Sequence, residues 1–155
     1  MNFRFASADG DHWLMERDEV PLRMTASIPD EPIRVTGAFL AIETRVTNVS
    51  GSPVRLLTAA FGAEISVLAG GVVVRPPGYR PDMGRMLALE PGESFVYESS
   101  VNVGYPNESS GPIHPLEPGT YQLHAVQSFN PMLEDGFSPE PAFEVHGGPW
   151  DLRIG

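Results

Sequence analysis

The sequence contains no cysteine and no lysine. Without cysteine there are no disulfides, no thiol nucleophile and no thiolate metal ligands, so any metal would be held by nitrogen and oxygen alone. Without lysine there is neither Schiff-base chemistry nor a phosphate-loop lysine. The cations are ten arginines set against twenty carboxylates, a formal net charge of −10. An acidic chain with no basic stripe matches nucleic acid poorly, because phosphate neutralisation supplies most of that affinity. Long apolar runs are missing as well. None approaches the ~18 residues of a spanning helix, and the start carries Arg4, Asp9 and Asp11 where a secretory signal has its apolar core. A cytoplasmic protein without a membrane span is the expectation. No Gly-rich phosphate loop, dinucleotide fingerprint, His-Glu-x-x-His helix or Gly-x-Ser-x-Gly elbow is present, so the chain reads as a non-enzyme with no implied cofactor.

What is present is strand periodicity. A chain of 155 residues with 41% apolar content reads as one domain, long enough to bury roughly 68–70% of its unfolded surface. The clearest stretch is Leu40 to Leu57. Leu40, Ile42, Thr44 and Val46 share one face, Ala41, Glu43, Arg45 and Thr47 the other, and Asn48 to Pro53 supplies a chain reversal before Val54 resumes. Leu22, Met24, Ala26 and Ile28 mark an earlier strand. Glu64 to Ala69 and Val72 to Arg75 flank the hairpin signal Gly70-Gly71. Arg75 to Gly84 is dense in Pro and Gly and reads as loop, with Arg85 to Leu89 a short strand behind it. Phe95 to Val103 alternates, as do Tyr121, Leu123 and Ala125. In the last strand, from Ala142 to Ile154, the apolar parity switches across Gly147-Gly148, which predicts a one-residue bulge there. Residues 1–20 read as an N-terminal extension: Asn2 to Ala6 as an edge strand, His12 to Met15 as either a helical turn or a strand. With eight or nine short strands and no helical periodicity, the fold class is all-β, an antiparallel sandwich with Greek-key connections. Alternating strand directions put the connections before Leu40, Arg85 and Tyr121 at one end. The opposite end takes the Asn48 turn, Gly70-Gly71 and a long loop around Phe129, Met132, Leu133 and Phe137.

The order of Thr47-Asn48-Val49-Ser50-Gly51-Ser52-Pro53-Val54, then Leu89-Glu90-Pro91-Gly92-Glu93-Ser94, then Leu116-Glu117-Pro118-Gly119-Thr120-Tyr121, resembles bacterial immunoglobulin-like domains. Among these it is most similar to the intracellular proteinase inhibitor family typified by a Bacillus protein. The resemblance implies an immunoglobulin-like sandwich and a protein partner, a protease among the candidates. The family tends to carry a Trp after the start of the fifth sandwich strand where this chain has Tyr97-Glu98-Ser99, and no inhibitory motif is carried over.

Three groups of residues stand out. Tyr121, just inside a strand after a Pro-Gly turn, reads as a tyrosine corner whose hydroxyl bonds back to the preceding loop. The segment Arg75 to Arg85 gathers Arg75, Arg80 and Arg85 around Tyr79. Those are residue types of binding hot spots, and they would take an acidic partner. The plainer reading is a solvated loop whose arginines pair with the protein's own carboxylates. Finally, pairing of the last two strands would set His124 beside His146, with Glu144 on the same face, a donor set able to hold Zn²⁺. Two exposed histidines on a sheet face is the plainer alternative. The functional expectation is a non-catalytic protein-binding module; a self-associating structural domain and a metal-binding protein are the alternatives.

Overall fold

The computed structural model describes residues 3–4, 14–15, 20–59, 62–78, 83–107, 111–133, 136–137 and 142–155. All of its elements are strands: β1 (Phe3–Arg4), β2 (Leu14–Met15), β3 (Leu22–Ser27), β4 (Phe39–Asn48), β5 (Val54–Ala59), β6 (Glu64–Ala69), β7 (Val72–Arg75), β8 (Gly84–Leu89), β9 (Ser94–Asn102), β10 (Gly119–Leu133), β11 (Gly136–Phe137) and β12 (Phe143–Ile154). Among the described residues, no helix is long and apolar enough to cross a membrane.

Two antiparallel sheets face each other across one core. The smaller has the order β3-β4-β9; the larger is centred on β10, which pairs β12 along one edge and β5 and β6 along the other. The residues of even-period apolar strands point inward as the sequence predicts. Leu22, Met24, Ile42, Val46, Val101, Leu123, Ala125 and Leu152 are buried in one cluster, with Phe129 stacked on Phe143 at 5.6 Å between ring centres. Burying side chains of this size contributes roughly 1.5–3 kcal/mol each relative to exposure, which is why the alternation fixes the register.

The larger sheet departs from simple alternation. β5 and β6 do not form a hairpin; both run antiparallel to the same edge of β10, Thr58 opposite Phe129 and Glu64 opposite Val126. They are one rail, interrupted between Ala59 and Glu64. β7 and β8 make the neighbouring rail, pairing β6 and β5 respectively, and that rail is interrupted between Arg75 and Gly84. Gly70-Gly71 therefore turns at the same end as the connections preceding β4 and β10, and the β7–β8 connection leaves from the middle of the sheet. Strict alternation of direction fails here because one strand continues where a reversal was expected. The last hairpin differs also. β10 carries on through Phe129 to Leu133, and Met132 and Leu133 pair with β11, so the expected long loop is mostly strand. Burial of Phe129 against Phe143 holds that extension in the sheet.

Other local expectations are met. Across β10 and β12 the register shifts between Leu123 opposite Trp150 and Ala125 opposite Gly147, which leaves the extra residue of a bulge at Gly148 and Pro149. Phe143, Val145, Leu152 and Ile154 thereby stay on the buried face. The ambiguous start resolves as a strand pair, Phe3 opposite Met15. The Tyr121 hydroxyl donates to the Glu117 carbonyl at 2.7 Å, closing the tyrosine corner. Tyr121→Phe is expected to lose about 1 kcal/mol, a fall in Tm of about 3 °C by thermal melting; an unchanged Tm would show that water replaces the bond at no cost.

Two asparagines fasten the ends of the sandwich. Asn48 and Asn102, the last residues of β4 and β9, are each 0% exposed. Asn48 Nδ2 donates to the carbonyls of Ser52 (2.9 Å) and Leu89 (3.0 Å), while its Oδ1 accepts from Ser50 N (2.9 Å) and Ser50 Oγ (2.7 Å). Asn102 does the same at the opposite end, donating to Pro76 O (3.0 Å) and Tyr105 O (2.7 Å) and accepting from Gly104 N (3.1 Å) and Tyr105 N (2.8 Å). A buried amide with both of its polar atoms engaged ties turns together as a backbone ladder would.

Candidate functional site

The interruption of the β5–β6 rail begins with a backbone requirement. Gly62 has φ of +82°, and a Cβ there would lie 2.5 Å from Ser99 Oγ and 2.8 Å from the Glu98 carbonyl oxygen. Only glycine takes that conformation at that distance from β9. Beyond it the Ala63 amide, which has left the ladder, donates to Ser99 Oγ at 3.1 Å, and Ser99 Oγ also meets Thr44 Oγ1 at 2.8 Å. A second buried polar chain lies beside this one. Tyr97 Oη is hydrogen-bonded to Gln127 Oε1, Gln127 Nε2 donates to Thr58 Oγ1 at 2.8 Å, and Thr58 Oγ1 donates to the Ser128 carbonyl at 2.8 Å. Interior hydroxyls and one amide thus stabilise the chain where the sheet is broken.

Above this polar layer, on the outer face of the larger sheet, the two interruptions leave a cavity of about 470 Å³. Its lining changes character from one side to the other. Toward β8 it is apolar, with Leu57, Ala59, Met83 and Gly84; along β10 and β12 it is mostly polar, with Ser128, Asn130 and Glu144 beside Val126, and Glu64 borders it from β6. Met86 stands directly opposite Leu57 across the β5–β8 pair, and Met83 and Met86 are 57% and 56% exposed. Beyond the polar side, Glu144 Oε1 lies 3.6 Å from His146 Nε2, and His146 Nδ1 lies 3.2 Å from His124 Nε2.

The histidines meet, but by a different register from the one expected. Val126 stands directly opposite His146, so His124 is its diagonal neighbour on the same face. Glu144 is on the far nitrogen of His146, away from His124. Among the described residues no group of three His, Asp or Glu converges on a point that a metal could occupy, so the trio His124, His146 and Glu144 is not a three-ligand set.

Of the expected arginine cluster the described residues include Arg75 and Arg85. Arg75 donates to its neighbour's carbonyl, Val74 O, at 2.8 Å and to His114 O at 2.6 Å, and its buried Nε has no partner among the described residues. Its guanidinium braces the loop before β10. Arg85 faces the sandwich side of β8, its guanidinium carbon 5.1 Å from the centre of the Phe95 ring. This is cation–π packing between the rims of the two sheets. Tyr79 and Arg80 lie outside the described residues. The cavity itself was not anticipated; the available signal was Gly62 inside an otherwise apolar stretch, where glycine marks a break or close backbone approach.

No protein-family model matches the sequence, and no curated protein does. Among solved structures, the crystal structure of a Bordetella pertussis protein described as ApaA is similar at 14% identity, covering 86% of this chain and 93% of that one, with a TM-score of 0.41.

Proposed function

We propose that the chain is a non-catalytic protein-interaction module whose contact surface is the outer face of the larger sheet at the interrupted rails. The observation that carries this reading is the juxtaposition of Leu57, Met83 and Met86 with a cavity of about 470 Å³. That volume lies within the range of built ligand sites, and flexible methionine side chains adapt to an incoming apolar group. Among the described strands β8 pairs only with β5, so its other edge offers backbone donors and acceptors to an extended segment of a partner. Glu144 on the polar side, in a chain of net charge −10, favours a segment that joins an apolar anchor to a basic residue. With Arg75 engaged inside the protein, an acidic partner is the poorer match. The resemblance to intracellular proteinase inhibitors makes proteases of the source cell the first partners to try.

Met86→Asp places a charge on the exposed apolar side while leaving the buried Leu87 and Leu89 in place. It is expected to reduce partner capture by the immobilised protein at least tenfold, with Tm within about 2 °C of wild type. Capture equal to wild type at preserved Tm would place the contact surface elsewhere. Dimerisation of the purified protein that Met86→Asp abolishes would identify the partner as a second copy of the chain.

A further inference from the structure

We propose that His124 and His146 form a two-imidazole site for a divalent ion of the zinc–copper class, with Glu144 as a positioning residue behind it. This inference is independent of the identity of any protein partner. Two nitrogens bound to one ion at 2.0–2.1 Å with a tetrahedral angle are about 3.3 Å apart. His146 Nδ1 and His124 Nε2 are 3.2 Å apart, with ring centres at 5.2 Å and planes inclined by 34°. An ion can therefore be bridged without moving either strand.

The carboxylate that fails as a third ligand has a different part to play. Glu144 Oε1 lies 3.6 Å from His146 Nε2, on the side of the ring opposite Nδ1. Attraction between that carboxylate and an Nε2 proton favours the tautomer whose Nδ1 carries the free lone pair. A carboxylate behind a histidine orients many metal-binding imidazoles in this way. The bulge at Gly148 and Pro149 sets the register that places the two histidines on a shared diagonal, and β10 and β12 hold both on sheet rather than loop. His146 and Glu144 side chains are 45% and 42% exposed, so the remaining coordination positions open to water. Imidazole donors with no thiolate select zinc, copper and nickel over magnesium and calcium, and copper is bound tightest of the series.

The alternative occupant of the 3.2 Å gap is a proton, as an N–H···N hydrogen bond between the rings. Calorimetric titration of the full chain with ZnCl₂, CuCl₂ and MgCl₂ separates the two. A metal site gives one equivalent of zinc with Kd below about 100 µM, tighter copper binding and no magnesium heat. His124→Gln and His146→Gln each abolish it, whereas Glu144→Gln keeps the stoichiometry and weakens binding about 10- to 100-fold. At zinc a hundredfold above Kd, the wild-type Tm rises by roughly 5 °C and the His124→Gln Tm does not. Zinc binding weaker than millimolar, or undiminished in the His124→Gln/His146→Gln double variant, would overturn the assignment. Equal affinity in Glu144→Gln and wild type would remove Glu144 from it.

Discussion

Asn48→Ala is expected to lower the unfolding free energy by about 3 kcal/mol. The side chain is fully buried and makes four hydrogen bonds that join the turn after β4 to the last residue of β8. Alanine leaves the carbonyls of Ser52 and Leu89 and the amide of Ser50 without that partner. Each orphaned buried group costs about 1–3 kcal/mol, offset in part where water reaches the exposed side of the turn. The urea midpoint should fall with little change in slope, and Tm by roughly 10 °C. Ser50→Ala, which removes only the half-buried hydroxyl of the same turn, should cost less than about 1 kcal/mol. A loss below 1 kcal/mol for Asn48→Ala would mean that the turn is held by its backbone alone. That backbone includes Asn48 N to Glu93 O at 2.9 Å and Gly92 N to Asn48 O at 2.8 Å.

Asn48 also shows where sequence reading stops. Its position after an alternating run and before Ser50-Gly51-Ser52-Pro53 marks a turn, and the turn is there. That its amide reaches across to β8 depends on the pairing of strands 41 residues apart, which no local pattern encodes. The strands themselves are legible because each has one wet and one dry face. Glu64–Ala69 and Val72–Arg75 come out with the expected bounds because glycines end them on one side. The interrupted rails were not legible, since Val54–Ala59 and Glu64–Ala69 carry the same alternation whether the chain reverses between them or continues. The same limit governs the site. Parity alone sets His124 and His146 on one face. The 3.2 Å distance required a register, and the bulge that fixes it was read from a change of parity across Gly147-Gly148.

Gly62→Val is the second large effect, expected at about 3 kcal/mol. Valine is strained at φ of +82°, and its Cβ would meet Ser99 Oγ at 2.5 Å and the Glu98 carbonyl oxygen at 2.8 Å. Relief of the clash displaces Ser99, which bonds the Ala63 amide and Thr44. The cost therefore combines backbone strain with an unpaired buried amide. Ser99→Ala should restore part of the lost stability in the Gly62→Val background, because it removes the atom the new side chain strikes. A double-mutant cycle of urea midpoints measures that coupling. Additive losses would mean that the Glu98 carbonyl, fixed in β9, is the obstacle.

The shared edge of β10 bears on how the chain is assembled on the ribosome. β3, β4 and β9 can zip together once residue 102 has emerged, since all of their pairings lie within that length. β5 and β6 have no such option. Their ladder partner begins at Gly119, and the β12 strand on its other flank is made later still. The nascent chain thus carries two apolar strands, β5 paired only with β8 and β6 only with β7, until β10 has been made. One central strand, arriving late, converts two loose hairpin-like pieces and a finished three-stranded sheet into the native protein.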